Sequence, residues 1–188
     1  MIPIAYLGID PGNSGGAALL NPDGSVAGLF KFEGLTETDL RERVSGWYRQ
    51  YNLIALIELV GPNRNRSKGE VRQGASAMFS FGQSYGFLRG LSVGLAIPFE
   101  EVLPIEWQAA FRLRGKADET KTAKKNRHKA KAQQLFPAWH ITHATADALL
   151  IAEYARRKAT GQLVASSEAR GASKRKPRAA RPTTPNPQ

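Results

Sequence analysis

The stretch IAYLGIDPGNSGG, residues 4–16, decides the expected fold. Its apolar residues predict a buried strand over 4–10 that ends in the carboxylate of Asp10, and the following proline and glycines turn the chain back on itself. A carboxylate at the end of a buried strand lies at the rim of a sheet, where a hard cation such as Mg2+ can reach it. Two interpretations stay open here: Asp10 binds a cation, or it only caps the turn through an Asx-type hydrogen bond.

The rest of the chain up to residue 160 alternates between predicted strands and helices. A tight glycine turn leads into a strand over 15–20, and a strand over 25–32 completes an antiparallel meander. The pattern then predicts helices over 36–50, 75–95, 104–111, 119–135 and 142–160, and strands over 53–60 and 98–103. This order predicts an α/β fold, in which a mixed five-stranded sheet begins with three antiparallel strands and carries helices on both faces.

Size and composition are typical of one soluble domain with a short tail. The 188 residues are 41% hydrophobic, which suffices for one core. No apolar run reaches the roughly 20 residues of a membrane helix and no signal-peptide pattern opens the chain, so we expect a cytoplasmic protein. The chain has no cysteine, which excludes disulfides and thiolate zinc sites and leaves Asp, Glu and His as metal ligands.

The net charge of +11 is concentrated in two segments. Residues 112–131 hold nine Lys or Arg against Asp118 and Glu119, and residues 161–188 hold six against Glu168. Such clusters favour a polyanionic partner, and we expect this partner to be nucleic acid. The second segment is rich in Pro, Ala, Lys and Arg and has few large apolar residues, so we expect residues 161–188 to be a disordered basic tail after a domain over 1–160.

Three carboxylates stand in apolar surroundings. Besides Asp10, Glu58 interrupts the apolar strand over 53–60, and Asp147 lies among alanines and aliphatic residues of the last helix. A buried charge of this kind is costly unless it is paired, protonated or bound to a metal. His143 lies four residues before Asp147, on the same helical face. Together these four residues predict a pocket for two divalent cations about 4 Å apart, as used for displacement at phosphorus.

The predicted helix over 75–95 carries glycines at nearly regular four-residue spacing, together with several aromatic residues. This spacing puts the glycines on one side of the helix and allows another backbone to approach closely, either within the domain or across a dimer. We expect the contact within the domain, and we expect Phe79 and Phe81 to pack in the core rather than stack on DNA.

Several motifs in this order resemble the RuvC-type Holliday-junction resolvases of the RNase H-like (retroviral integrase) superfamily, particularly their phage-encoded members. The resemblance covers residues 4 to about 157. It rests on GIDPG at 8–12, IE at 57–58, SAMFSFGQSYG at 76–86, Pro104 with Trp107, LFP at 135–137 and ADALLIA at 146–152.

The resemblance implies an RNase H-like fold, a homodimer, and Mg2+-dependent paired nicking of a four-way DNA junction. It implies two Mg2+ ions per site, with Mn2+ as a substitute, bound by Asp10, Glu58 and Asp147. It departs at Ala144, where many members have a second acid, and we therefore expect His143 to be a metal ligand or a proton-handling group. His128 and His140 are expected to be solvated or structural. The basic residues expected to contact DNA phosphates are Arg64, Arg66, Lys68, Arg72, Lys116, Lys121, Lys124, Lys125, Arg127, Lys129 and Lys131.

Other functions remain open at this point. Sugar kinases, actins and Hsp70-type ATPases also begin with a strand, an Asp and a glycine turn, but they need a second phosphate loop and a second lobe, for which this chain lacks room. A non-catalytic DNA-binding module with a decayed site is favoured by the missing acid at Ala144. A nuclease that cuts forks, flaps and other branched DNA is not distinguished from a strict junction resolvase.

Overall fold

A computed structural model of the chain describes residues 1–12, 14–59, 74–115 and 118–163. The described elements agree with the predicted ones, and their ends differ by at most two residues. In chain order they are β1 (Ile4–Asp10), β2 (Gly16–Leu20), β3 (Val26–Lys31), α1 (Glu37–Tyr48), β4 (Asn52–Glu58), α2 (Ala75–Gly94), β5 (Phe99–Val102), α3 (Pro104–Ala110), α4 (Lys121–Leu135) and α5 (His143–Ala159). The predicted tail from residue 164 onward lies outside the described residues and stays a prediction.

The five strands form one mixed sheet in the order β3-β2-β1-β4-β5. β1 to β3 are antiparallel neighbours, which confirms the predicted meander, and β4 pairs parallel to both β1 and β5. The central strand β1 therefore has an antiparallel neighbour on one side and a parallel neighbour on the other. In the parallel pair Ile9 lies opposite Ile57, so β1 and β4 end side by side.

Helices cover both faces of the sheet, as predicted. Because successive side chains of a strand point to opposite faces, each strand contributes to two cores. Leu7 and Ile9 of β1 pack with residues of α1 and α2 on one face. Tyr6 of β1 and Leu56 of β4 pack with residues of α3, α4 and α5 on the other.

The helix α5 lies directly on the central strand at Gly8. A Cβ added at Gly8 would lie 2.2 Å from the backbone nitrogen of Ala152 and 2.3 Å from the carbonyl oxygen of Ala148. Both distances are shorter than any van der Waals contact, so only glycine fits there. The two alanines are one helical turn apart, and this small-residue face of α5 is what lets the helix approach the sheet so closely.

The helix α2 differs from the expectation. Apart from the nearby backbone of α2 itself, no atom of the described residues lies within 4 Å of a Cβ built at Gly82, Gly86, Gly90 or Gly94. The expected contact of these glycines within the domain is therefore wrong. Phe79 is 68% exposed, so its predicted core packing is also wrong. Phe81 stacks on Tyr85 with ring centroids 6.3 Å apart. Because the helix meets the domain mainly through its C-terminal half, around buried Leu88 and Ser92, most of its surface stays uncovered.

Within the described ranges, none of the helices has both the length and the apolarity needed to cross a membrane.

The contact at Gly8 predicts the effect of one added methyl group. We expect Gly8→Ala to lower the free energy of unfolding by about 3 kcal/mol, because overpacking against two backbone atoms can be relieved only by moving α5 away from β1. Gly46→Ala is the matched control: it adds the same methyl group inside α1, where nothing lies within 4 Å, and should stabilise by about 0.5–1 kcal/mol. Urea unfolding measures both changes. Equal effects of the two substitutions would contradict the close contact between α5 and Gly8.

Candidate active site

Three carboxylates lie at the edge where β1 and β4 end. Asp10 and Glu58 are the last residues of these two parallel strands, and the register between the strands places them side by side. Asp147 is in the second turn of α5, one residue before the alanine whose carbonyl group packs against Gly8. The contact between α5 and β1 thus brings the third acid to the other two.

Strand alternation puts the two strand acids on the face of the sheet that α5 covers. Asp10 lies two residues after Gly8, where α5 makes its close contact. Glu58 lies two residues after Leu56, which packs in the core under α5. Since residues two apart in a strand point to the same face, Asp10 and Glu58 both face the helix that carries Asp147.

Each of the three carboxylates uses one oxygen for a contact within the protein. Asp10 Oδ1 accepts from the backbone N–H of Gly12 at 3.3 Å, which is the Asx-type bond considered from the sequence. Glu58 Oε1 accepts from Trp107 Nε1 at 3.0 Å, and Asp147 Oδ1 lies 2.7 Å from His128 Nδ1. In the part of the chain that the structure describes, the second oxygen of each carboxylate has no hydrogen-bond partner.

Burial and neighbouring negative charge oppose the ionisation of Asp10 and Glu58. Burial, and next the negative charge of Asp147, raise the pKa of Asp10 to about 6. Burial, followed by the charge of Asp10 and then of Asp147, raises the pKa of Glu58 to about 8, against a smaller lowering by the Trp107 hydrogen bond. These effects show that the three acids lie close enough for their charges to interact.

Two lysines of α4 act in the opposite direction. The charge of Lys125 lowers the pKa of Asp10, and that of Lys124 lowers the pKa of Glu58. Both side chains are on exposed positions of α4. The structure therefore places a basic helix beside the carboxylates, so that a polyanion bound to it would lie next to the three acids.

The other basic residues predicted to contact DNA differ in their surroundings. Arg127 donates to Glu119 and to the carbonyl oxygen of Leu113, and so ties α4 to the preceding segment. Lys131 donates to Gln134. Lys121 is exposed, and Lys129 is half-buried. The predicted contacts Arg64, Arg66, Lys68, Arg72 and Lys116 lie outside the described residues.

Comparison with solved structures identifies the fold. The chain is similar to "T. thermophilus RuvC in complex with Holliday junction substrate", with a TM-score of 0.57 and 13% identity over 84% of this chain and 97% of that chain. The chain has the fold of RuvC. A second similar structure, "Thermus thermophilus RuvC structure", gives a TM-score of 0.50 and 15% identity over the same shares of the two chains. No protein-family model and no curated protein matches the sequence.

The histidine predicted in the site lies at its outer edge. His143 is the exposed first residue of α5, and its Nε2 lies 2.8 Å from Asn126 Oδ1 on α4. It is not among the groups that shift the pKa of Asp10 or Glu58. Ala144, where an acid was expected by resemblance, has its carbonyl oxygen 3.0 Å from a Cβ built at Gly16. The roles of Asp10, Glu58, His143 and Asp147 as metal ligands stay predictions.

Two residues that contact the carboxylates were not predicted as part of the site. His128 of α4 is 2% exposed, and Trp107 of α3 is fully buried. His128 was expected to be solvated or structural, and Trp107 entered only through the resemblance. One signal was present in the sequence, because His128 and Ala132 are one helical turn apart on a Lys-rich helix. The structure shows that these two are the buried residues of α4.

The residues suit divalent cations by the chemistry of their donors. Hard cations such as Mg2+ prefer carboxylate oxygens. A bound cation would favour the ionised forms of Asp10 and Glu58, whose pKa values are raised. Within the described ranges, no three His, Asp or Glu side chains are grouped tightly enough to hold an ion as they stand. One oxygen of each acid is bonded to a protein donor.

The raised pKa values predict that the metal-free protein loses stability as the pH rises. Between the unfolded and folded pKa values of Asp10 and Glu58, the folded state binds more protons than the unfolded state, so the free energy of unfolding falls from about pH 4 to pH 8. Removing the Glu58 charge should relieve this loss. We expect Glu58→Gln to raise the Tm in EDTA at pH 8 by roughly 3 °C or more and to change it little at pH 4.

The control for this measurement is Glu42→Gln, which removes an acid whose side chain is exposed on α1. Calorimetric scans at several pH values compare both variants with the wild type. Parallel pH profiles for wild type and Glu58→Gln would contradict the raised pKa.

Proposed function

We propose that this chain is a structure-selective DNA endonuclease that resolves four-way (Holliday) junctions by metal-dependent paired nicking, as a phage-like member of the RuvC-type resolvases. The observation that carries the proposal is the cluster of Asp10, Glu58 and Asp147 beside the lysines of α4, on the fold of RuvC. Hard-cation ligands next to a phosphate-binding surface are what metal-dependent cleavage of a phosphodiester requires.

In this proposal Asp10, Glu58 and Asp147 bind two Mg2+ ions, for which Mn2+ substitutes. When bound, such ions supply Lewis-acid stabilisation of the attacking and leaving oxygens and make water a better nucleophile at neutral pH. Asp10 is central among the three acids. Its charge raises the pKa of Glu58 more than the charge of Asp147 does, and the charge of Asp147 raises the pKa of Asp10. Its position at the end of the central strand keeps it rigid.

The basic face of α4 positions the DNA. Lys121, Lys124 and Lys125 are exposed, and contacts to phosphate orient a nucleic acid without reading its sequence. Since Lys124 and Lys125 also act on the charge of the acids, a phosphate bound between them lies close to the cleavage site. Phe79, which is exposed on α2, offers a surface on which an unpaired base can stack.

His143 handles the proton in this proposal. Its imidazole is exposed at the start of α5, beside the α4 face that carries the lysines. A histidine that accepts a proton from the attacking water functions near neutral pH. The alternative role, as a metal ligand in place of the acid missing at Ala144, predicts that its loss weakens metal binding.

We also propose that the enzyme is a homodimer that associates through α2. Gly82, Gly86, Gly90 and Gly94 form a stripe open to close approach, and Val93 beside them is 69% exposed. An open groove between α1 and α2 borders the stripe and includes Gly90 and Gly94 in its wall. A second copy of this helix packed on the stripe covers apolar surface, and two active sites on one junction account for paired nicks.

The direct test of the enzymatic proposal is cleavage of an immobile four-way junction, a fork, a flap and a linear duplex, each with Mg2+ and with EDTA. We expect paired nicks in the junction that require Mg2+, because the acids alone repel a phosphate. Asp10→Asn should abolish cleavage while leaving junction binding in EDTA intact. His143→Ala should slow cleavage about 100-fold, the usual contribution of a general acid or base. Exposed His140→Ala is the matched control and should cut at the wild-type rate.

Each other outcome selects an alternative. Equal cutting of forks and flaps would replace strict junction resolution with a broader branched-DNA nuclease. Junction binding without any cleavage in Mg2+ or Mn2+ would favour a binding module with a decayed site.

The dimer proposal has its own test. We expect the wild type to sediment as a dimer at micromolar concentration, and Gly86→Leu to weaken association at least tenfold because a branched side chain prevents close helix approach. Gly46→Leu on α1 is the control and should leave the dimer intact. A monomeric wild type, or an undisturbed dimer of Gly86→Leu, would contradict association through this stripe.

A further inference from the structure

Two buried aromatic side chains contact two of the three acids and also contact each other. Trp107 of α3 donates its indole N–H to Glu58, and His128 of α4 bonds to Asp147. The two rings meet edge to face, with centroids 5.3 Å apart and an interplanar angle of 74°. A continuous chain of contacts therefore joins Glu58 to Asp147 through the protein interior, from the end of a strand to a helix on the same face.

The environment of His128 fixes which ring nitrogen carries the proton. Within the described residues, Nε2 is buried and has no hydrogen-bond partner. A buried N–H group without an acceptor is rarer and more costly than a buried acceptor without a donor. The proton therefore resides on Nδ1, which donates to Asp147 Oδ1 at 2.7 Å. The ring is thus a donor toward the acid, and its other nitrogen is left without a role in hydrogen bonding.

Trp107 can act only as a donor, because the indole N–H has no acceptor capacity. It therefore fixes Glu58 Oε1 as an acceptor, as His128 fixes Asp147 Oδ1. Both rings are nearly or fully inaccessible to solvent, so neither can swing away without opening the core between the sheet and α5. In both acids this leaves the second oxygen for an external ligand.

We propose that Trp107 and His128 form a positioning pair that holds Glu58 and Asp147 in the orientation in which each presents one free oxygen to a divalent cation. The inference rests on the proposed function, since it assigns a purpose to these two contacts at the same site. The pair does not touch the DNA or the cations. It acts through the acids, in the way that hydrogen-bond partners of metal ligands set the orientation of those ligands.

A purely structural role predicts a different pattern of effects. If the rings only fill the core, their loss lowers stability and leaves the cation affinity of the folded protein unchanged. If they position the acids, the loss of the donated hydrogen changes cation affinity even where the shape is kept. Trp107→Phe keeps a buried aromatic ring without the N–H, and His128→Leu keeps similar bulk without the donor. His128→Asn restores a donor, since the amide nitrogen of Asn takes a position close to that of imidazole Nδ1.

The test measures Mn2+ binding by titration calorimetry in the full-length protein without DNA, together with single-turnover cleavage of the four-way junction. We expect Trp107→Phe and His128→Leu to weaken Mn2+ binding about 10-fold to 100-fold. Junction binding in EDTA should stay within twofold of the wild type, and His128→Asn should bind Mn2+ more tightly than His128→Leu. The control is Trp47→Phe, the same change on the opposite face of the sheet, where Trp47 packs on Phe30; it should bind Mn2+ as the wild type does.

Wild-type Mn2+ affinity in both Trp107→Phe and His128→Leu would overturn the positioning role. Equal weakening in His128→Asn and His128→Leu would show that the donated hydrogen is irrelevant at this position and would also overturn it. If His128→Leu does not fold, Trp107→Phe and His128→Asn still decide the outcome. A wild type that neither binds Mn2+ nor cuts the junction is a different result, because it overturns the proposed function itself and this inference with it.

Discussion

The structure depends on the contact between the backbone of α5 and the central strand at Gly8. A side chain at this position has no room, because the backbone of α5 occupies the space that a Cβ would take. Ala148 and Ala152 supply the matching small surface, and Asp147 is placed immediately beside it. The position of the third acid is thus a consequence of one glycine, two residues before the first acid on the same face of the strand.

This arrangement concentrates negative charge where burial already opposes it. Asp10 and Glu58 have raised pKa values, to about 6 and about 8, so ionisation of these two acids lowers the stability of the folded state. Three hydrogen bonds offset part of the cost, and in each acid they engage one oxygen only. In the proposed function, a bound cation would offset this repulsion, so the charge repulsion and the proposed cation binding have the same origin.

The sequence predicts the strands and the helices well, since each depends on local pattern, and it singles out the three acids that the structure brings together. Apolar runs that end in Asp10 and Glu58, and an acid among alanines at Asp147, are visible without tertiary information. The partners Trp107 and His128 are not, because their role arises from how α3 and α4 pack on the sheet. The glycines of α2 show the same limit. Their spacing is evident, but whether they face the domain or an open surface depends on the path of the helix, which no local pattern encodes.

The central claim is that Asp10, Glu58 and Asp147 together form one cation site. Anomalous diffraction from crystals grown with Mn2+ tests it most directly, because Mn2+ can be located independently of any assumption about the ligands. The account predicts anomalous peaks within coordination distance of the oxygens of all three acids, with Glu58 still bonded to Trp107 and Asp147 to His128. Mn2+ bound elsewhere, or bound by only one of the three acids, would contradict the account.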